Sequence, residues 1–202
     1  MAYVVFERLK RYLGSQSDEP VDDDLLQEMI THAEGYINQE THREFEAFAA
    51  TRRYHVGTPT KYGDGLLSAL SIDNPRQLLL DEDLLAITTL QDRQGARTFA
   101  ATDYVLLPTN QTPKSSILLI EERWEHVTTT LEAVIIEGAW GWSTVAPADI
   151  AMATRRLAAY LYRQKDSQVF DTTALFEGGV LSIPQGVPRI VQFVINRYRK
   201  ML

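Results

Sequence analysis

The hydrophobic pattern changes period twice along the chain, and that order of periods restricts the fold more than any motif does. Near the start, Leu25, Leu26, Met29, Ile30, Ala33 and Ile37 recur at a spacing close to 3.6. Such spacing places one wide apolar stripe on a helix. Asp22, Asp23 and Asp24 stand just ahead of it, where the helix macrodipole favours acids. This helix is therefore expected to begin at Asp22 or Asp23 and to end near Glu40. A shorter helix precedes it, with Phe6, Leu9 and Leu13 on one face and Gly14 as its stop. Ser15 to Pro20 reads as a polar linker.

Between residues 47 and 146 the period is different. Short β-rich runs at 51–56, 77–80, 85–90, 104–107, 117–120 and 131–137 alternate with turn residues. The punctuation is Gly63-Asp64-Gly65, Asn74-Pro75, Gln94-Gly95, and the stretches 108–113 and 126–130. Gln91 to Ala96 looks like a hairpin tip, with Gly95 supplying a positive φ. These runs predict an antiparallel unit of five to seven strands.

Helical spacing returns at Pro147, a residue suited to the first helical position. Ile150, Ala151, Leu157, Ala158, Leu161 and Tyr162 are the expected buried stripe. About twenty residues, 166–187, then form a connection long for a compact domain, and therefore functional or mobile. Pro188 opens a last helix, with Ile190, Val191, Val194, Tyr198 and Leu202 on one side, widened by Phe193 and Ile195. Neither end carries enough apolar surface for a core of its own, so the two ends must meet. The expected class is α+β: a helical bundle domain (1–46 and 147–202) with an inserted antiparallel β-domain (47–146).

Composition excludes several chemistries. The 202 residues include no cysteine. That removes disulfide scaffolds, thiolate metal sites and a thiol nucleophile, and it fits a reducing compartment. The net charge of −7 argues against nucleic-acid binding by the whole surface. Charge is uneven: residues 147–202 hold eight Lys/Arg against four acids, whereas 1–40 hold three against nine. No signal peptide and no membrane-spanning run is read in the chain.

No motif for catalysis stands out. His32, His42, His55 and His126 share no metal-binding spacing and read as surface or capping residues. Asp22-Asp23-Asp24 reads as a helix start, and Asp81-Glu82-Asp83 as a turn between two strands. Gly63-Asp64-Gly65 lacks the helix a phosphate loop needs. No metal or cofactor is expected. Trp140-Gly141-Trp142 has two readings. The Trp rings cover the joint between β-unit and helices, or they anchor an interface. Gly138 and Gly141 let the chain bend there. The last helix, with Arg189, Arg197, Arg199 and Lys200, is either a solvated basic face or a dock for an acidic partner.

Three stretches together resemble the head–tail connector (adaptor) proteins of tailed bacteriophages. The first is the acidic helix with Leu25-Leu26, Met29-Ile30, Ala33 and Ile37, running into Thr41-His42-Arg43-Glu44-Phe45. The second is Ile135-Ile136-Glu137-Gly138-Ala139-Trp140-Gly141-Trp142 followed by Val145-Ala146-Pro147-Ala148-Asp149-Ile150 and Ala153. The third is the Pro188 helix with Tyr198-Arg199. The β-unit is a departure, since the smallest members of that family are nearly all helical.

The resemblance implies a non-enzymatic ring subunit, typically twelvefold, in the neck of the virion between capsid and tail. It would assemble in the host bacterial cytoplasm, with no membrane involved. Its partners would be further copies of itself, the portal protein, and a tail-side stopper or tail-completion protein. DNA would pass through the lumen without sequence-specific binding, and an acidic wall would let it slide. On this reading Arg189, Phe193, Arg197, Tyr198, Arg199 and Lys200 are the expected portal-binding residues. Trp140 and Trp142 are the expected interface or domain-joint anchors. The alternatives are a different neck or tail-completion protein, and a small hydrolase or ligand-binding protein. The last would use the β-domain as a pocket, with His55, Asp64 and His126 as its catalytic set.

Overall fold

The computed structural model describes residues 3–14, 23–56, 74–92, 96–124, 134–164, 175–176, 179–180 and 186–200. The class is α+β. Two compact units are distinguished: one from Met1–Arg43 with Ala146–Leu202, the other Glu44–Val145.

The first unit is helical. It contains α1 (Phe6–Leu13), α2 (Asp23–Thr41), α3 (Ala148–Gln164) and α4 (Arg189–Tyr198). Gly14 ends α1 in the left-handed region at φ 72°, and its N–H donates to the Arg11 carbonyl. His42 does the same for α2 with φ 54°. The Arg43 N–H then reaches back to the Asn38 carbonyl at 3.2 Å, which closes the last turn. The α2 stripe is buried at Leu26, Ile30, Ala33 and Ile37, and this face packs on α3. The α3 stripe lies slightly rotated from its expected position. Ala153, Thr154 and Ala159 are buried with Ile150, Leu157 and Ala158, whereas Ala151, Leu161 and Tyr162 are half-buried. The Thr154 hydroxyl answers its own burial by donating to the Ile150 carbonyl at 3.0 Å.

In α4 the buried residues are Val191, Val194 and Ile195. Ile190 and Phe193, expected within the stripe, are 38% and 67% exposed. Only a three-residue-wide face of this ten-residue helix meets the bundle, so the flanking apolar positions stay in solvent. Within the stretch 166–187, expected as a long connection, the described residues form a two-stranded ladder of β7 (Leu175–Phe176) and β8 (Gly179–Val180). The expected linker at 15–20, the turns at 63–65 and 126–130, and Gly95 lie outside the described residues.

The second unit is an antiparallel sheet of six strands in the order β1-β6-β2-β5-β4, with β3 paired to β2. The strands are β1 (Phe48–Tyr54), β2 (Gln77–Asp92), β3 (Arg97–Thr98), β4 (Tyr104–Leu107), β5 (Lys114–Leu119) and β6 (Val134–Trp140). The runs expected at 77–80 and 85–90 are one strand. Its first part pairs with β5, from Gln77↔Leu118 onward, and its second part with β6, from Leu84↔Trp140 to Gln91↔Ile135. The register shifts within each ladder, between Leu79 and Leu84 against β5 and between Leu84 and Thr89 against β6, which is the mark of a bulge.

Asp81-Glu82-Asp83 therefore sits inside a strand rather than in a turn, a correction to the sequence reading. Neighbours take up its charges. The Tyr54 hydroxyl donates to Asp81 at 2.8 Å, and the Arg52 Nε donates to Glu82 at 2.9 Å. Burial, then the charge of Asp81 and its hydrogen bond, raise the Tyr54 pKa well above the ordinary tyrosine value. Leu78, Leu80, Leu84 and Leu90 turn inward with Ile117, Leu119, Val134 and Ile136. Phe99 meets Trp124 edge-on at 5.5 Å, and the Trp124 indole donates to the Arg76 carbonyl.

Candidate docking interface

Two of the stretches that carry the resemblance meet in the helical unit. Thr41 closes α2, fully buried, and its hydroxyl donates to the Ile37 carbonyl at 2.7 Å. Two residues later, Arg43 Nε donates to the Tyr198 carbonyl at 2.7 Å. In return, Arg199 Nε donates to the Glu40 carbonyl at 2.9 Å and its Nη2 lies 2.6 Å from the Glu40 carboxylate. The Lys200 N–H donates to the Thr41 carbonyl at 2.9 Å. The C-terminal ends of α2 and α4 thus exchange bonds in both directions. Each end presents carbonyls that its own helix cannot satisfy, and the guanidinium of the other supplies donors to them.

The start of α3 joins this clasp. The Tyr198 hydroxyl sits 2.9 Å from both oxygens of Asp149, whose own Oδ1 accepts the Ile150 N–H at 3.1 Å. Arg197 Nη1 stands 3.5 Å from Asp149 Oδ2. Burial, then the Asp149 hydrogen bond and charge, raise the Tyr198 pKa; Arg197 opposes this. A protonated Tyr198 keeps its donor role at ordinary pH. Asp149, Arg43 and Glu40 were not among the expected site residues. Their signal was weak, since each is an ordinary charged residue at a helix end.

The six residues expected to bind a portal fall into two groups. Tyr198, Arg199 and Lys200 have bonding partners in their own subunit, and Arg197 also approaches Asp149. Arg189, Phe193 and Arg197 lie on the outward side of α4, with Ile190 and Gln192 beside them. The spacing of four between 189, 193 and 197 lines them up along one helix face. Phe193 is an apolar ring between two guanidinium-bearing positions, a composition suited to a protein contact rather than to water.

Trp140 and Trp142 sit in the sheet unit and differ sharply. Trp140 is fully buried, stacks on Tyr54 at 6.3 Å, and donates through Nε1 to the Ala50 carbonyl at 3.0 Å. It is a core residue of the sheet. Trp142 is half-buried and tilts against Phe45 at 6.5 Å. Both glycines here are fixed by close approach. A Cβ on Gly138 would stand 2.2 Å from the Ala86 carbonyl oxygen; one on Gly141 (φ 126°) would stand 2.5 Å from that of Glu46. Only glycine fits either place.

The alternative catalytic set is not assembled among the described residues. Asp64 and His126 lie outside them. His55 follows β1 half-buried, with Nδ1 buried and unbonded. A shallow cleft of about 270 Å³ in the sheet unit is lined by Arg97, Phe99, Thr102, Asp103 and Glu122, with no histidine. Among the described residues no three His, Asp or Glu converge as metal ligands, and no helix is long and apolar enough to cross a membrane.

No protein-family model matches the chain. No curated protein matches it either. Solved structures do. One is a chain of the neck of an empty GTA particle computed with C6 symmetry: TM-score 0.62, 17% identity, 98% of this chain and 89% of that one. Another is from the neck of the native GTA particle computed with C12 symmetry: TM-score 0.59, 18% identity, 97% of this chain and 88% of that one. A third is from the virion of the native gene transfer agent (GTA) particle: TM-score 0.56, 19% identity, 98% and 89% coverage. Over nearly its whole length, this chain shares the fold of gene transfer agent neck chains, as the resemblance to phage head–tail connectors led one to expect.

Proposed function

We propose that the protein is a non-enzymatic structural subunit of the neck of a phage-like particle, forming a ring that docks on the portal protein. The observation that carries this reading is the fold likeness to neck chains, which extends over 97–98% of this chain and 88–89% of theirs. In those particles the neck was computed with C6 or C12 symmetry, which supports a homo-oligomeric ring here, of twelve copies. The arrangement we infer is a helical bundle domain carrying an inserted antiparallel β-domain. The helical part makes ring contacts, and the ring hands on to a stopper or tail-completion protein. DNA crosses the lumen without sequence-specific contact, past an acidic wall. Assembly takes place in the bacterial cytoplasm, and the product sits in the virion neck.

The portal contact is assigned to the outward side of α4. Arg189, Phe193 and Arg197 touch the portal, with Tyr198, Arg199 and Lys200 holding the helix at its angle. Trp142 stays available as a lesser anchor.

The test is imaging of the purified protein with and without a portal ring. A hollow ring stacked on the portal supports the reading, and isolated portals beside free monomers refute it. Truncating α4 is a poor test, because Val191, Val194 and Ile195 are buried. Phe193→Asp with Arg189→Glu is better, since both side chains are exposed. Unchanged portal binding by that variant would move the contact elsewhere.

A further inference from the structure

Three guanidinium groups converge on one side of the helical unit. Arg8, Arg11 and Tyr12 of α1 face Arg155 of α3 across an open cleft of about 360 Å³. The Arg155 guanidinium carbon stands 5.2 Å from the Tyr12 ring centroid, a cation–π approach. Among the described residues no carboxylate pairs with Arg8, Arg11 or Arg155. Arg155 Nε is moreover buried with no hydrogen-bond partner. A buried donor left unbonded, beside two more cations, is costly in a free subunit. A carboxylate entering the cleft meets the exposed Arg8 and Arg11 forks, whose geometry it matches, and its charge offsets that of Arg155.

Among the described acids, Glu7 stands exposed on α1 itself, while those at the start of α2 lie off this cleft. Lys10, on another side of α1, holds Asp23 and covers the Phe6 ring at 4.8 Å. Asp24 and Glu28 stand one turn apart on the exposed side of α2, opposite its buried stripe. Among the described residues Glu28 pairs with His32, at 3.4 Å, with both side chains more than half exposed. The helical unit therefore carries a cationic cleft on one face and an acidic helix face on another. Complementary surfaces on different faces of one subunit associate head to tail, and such contacts close into a ring where the rotation between copies closes.

We infer that the Arg8–Arg11–Arg155 cleft of one copy receives the Asp24 and Glu28 carboxylates of a second copy. This rests on the ring reading above and names the contact that builds the ring. The Tyr12 ring, 46% exposed, covers the pair from solvent once the second copy is in place.

The test measures self-association of the full chain by sedimentation at low salt (about 50 mM), where charge pairs are least screened. Two variants are compared with the wild type: Arg8→Glu with Arg11→Glu, and Asp24→Lys with Glu28→Lys. All four side chains are exposed, so folding is preserved, and circular dichroism checks it. Each variant alone is expected to self-associate about tenfold more weakly or worse. Mixed in equal amounts, they are expected to recover association, because each reversed face then meets its opposite.

A wild type that stays monomeric up to ~1 mM overturns the inference. So does association unchanged by either reversal, or a mixture that fails to recover. If the arginine variant instead loses binding to duplex DNA while its self-association is intact, the cleft serves phosphates and the inference is likewise overturned. Rings that persist in both variants refute this contact and leave the neck reading standing. The neck reading itself falls only if no ring forms on the portal.

Discussion

Arg43 Nε donates to the carbonyl of Tyr198 at 2.7 Å, joining positions 155 apart in sequence. The bond ties the end of one helix to the end of another that closes the unit. Arg43→Ala removes a charged donor from a part-buried carbonyl and is expected to cost about 1.5–3 kcal/mol. Denaturant unfolding measures this. Arg43→Lys should recover little, because the planar fork is lost.

The clasp explains a limit of the sequence reading. The stripe of α2 was legible because Leu26, Ile30, Ala33 and Ile37 repeat with the helical period. The stripe of α4 was legible at Val191, Val194 and Ile195 but was read too wide, because Ile190 and Phe193 are apolar as well. The bonds that fix the end of this helix, from Tyr198 to Asp149 and from Arg199 to Glu40, join positions far apart in sequence and leave no local signal.

Phe193 and Ile195 provide a contrast on that helix. Ile195→Ala empties a buried site, at 3% exposure, and should cost about 2–5 kcal/mol. Phe193→Ser should change stability by no more than about 0.5 kcal/mol, while removing the apolar ring from the outward face. Thermal unfolding of the two variants separates a packing role from a contact role.

Glycine at 138 should tolerate no side chain. Gly138→Ala puts a methyl group 2.2 Å from the Ala86 carbonyl oxygen, which lies on backbone that cannot step aside. The expected loss is about 3 kcal/mol or more, seen as a fall in the denaturation midpoint or as failure to accumulate folded protein.

Stability should fall in alkali through Tyr54. Its pKa is raised in the folded state by burial and by Asp81. The folded form thus holds the proton more tightly, and this stabilisation is complete below the unfolded tyrosine value of about 10. It is lost progressively as pH rises above that value toward the folded pKa. Tyr54→Phe should lower the alkaline slope of unfolding free energy against pH. An unchanged slope would show that the hydroxyl is not held as described.

The sheet was harder to read than the helices for a definite reason. The register of β2 against β5 shifts between Leu79 and Leu84, and this irregular stretch carries Asp81-Glu82-Asp83, which on composition alone is turn chemistry. The acids are held by Tyr54 and Arg52 of β1, contacts between residues about thirty positions apart. The surroundings of Trp140, the Ala50 carbonyl and the Tyr54 ring, come from β1 some ninety residues earlier and leave no local mark in the sequence.

The chain enters and leaves the sheet unit side by side. The Trp142 N–H donates to the Glu44 carbonyl at 2.8 Å, and Glu46 bridges in parallel to Ser143. A unit with adjacent ends is a cassette. It can be spliced out, enlarged or replaced by a short loop without altering the spacing that the flanking helices must span.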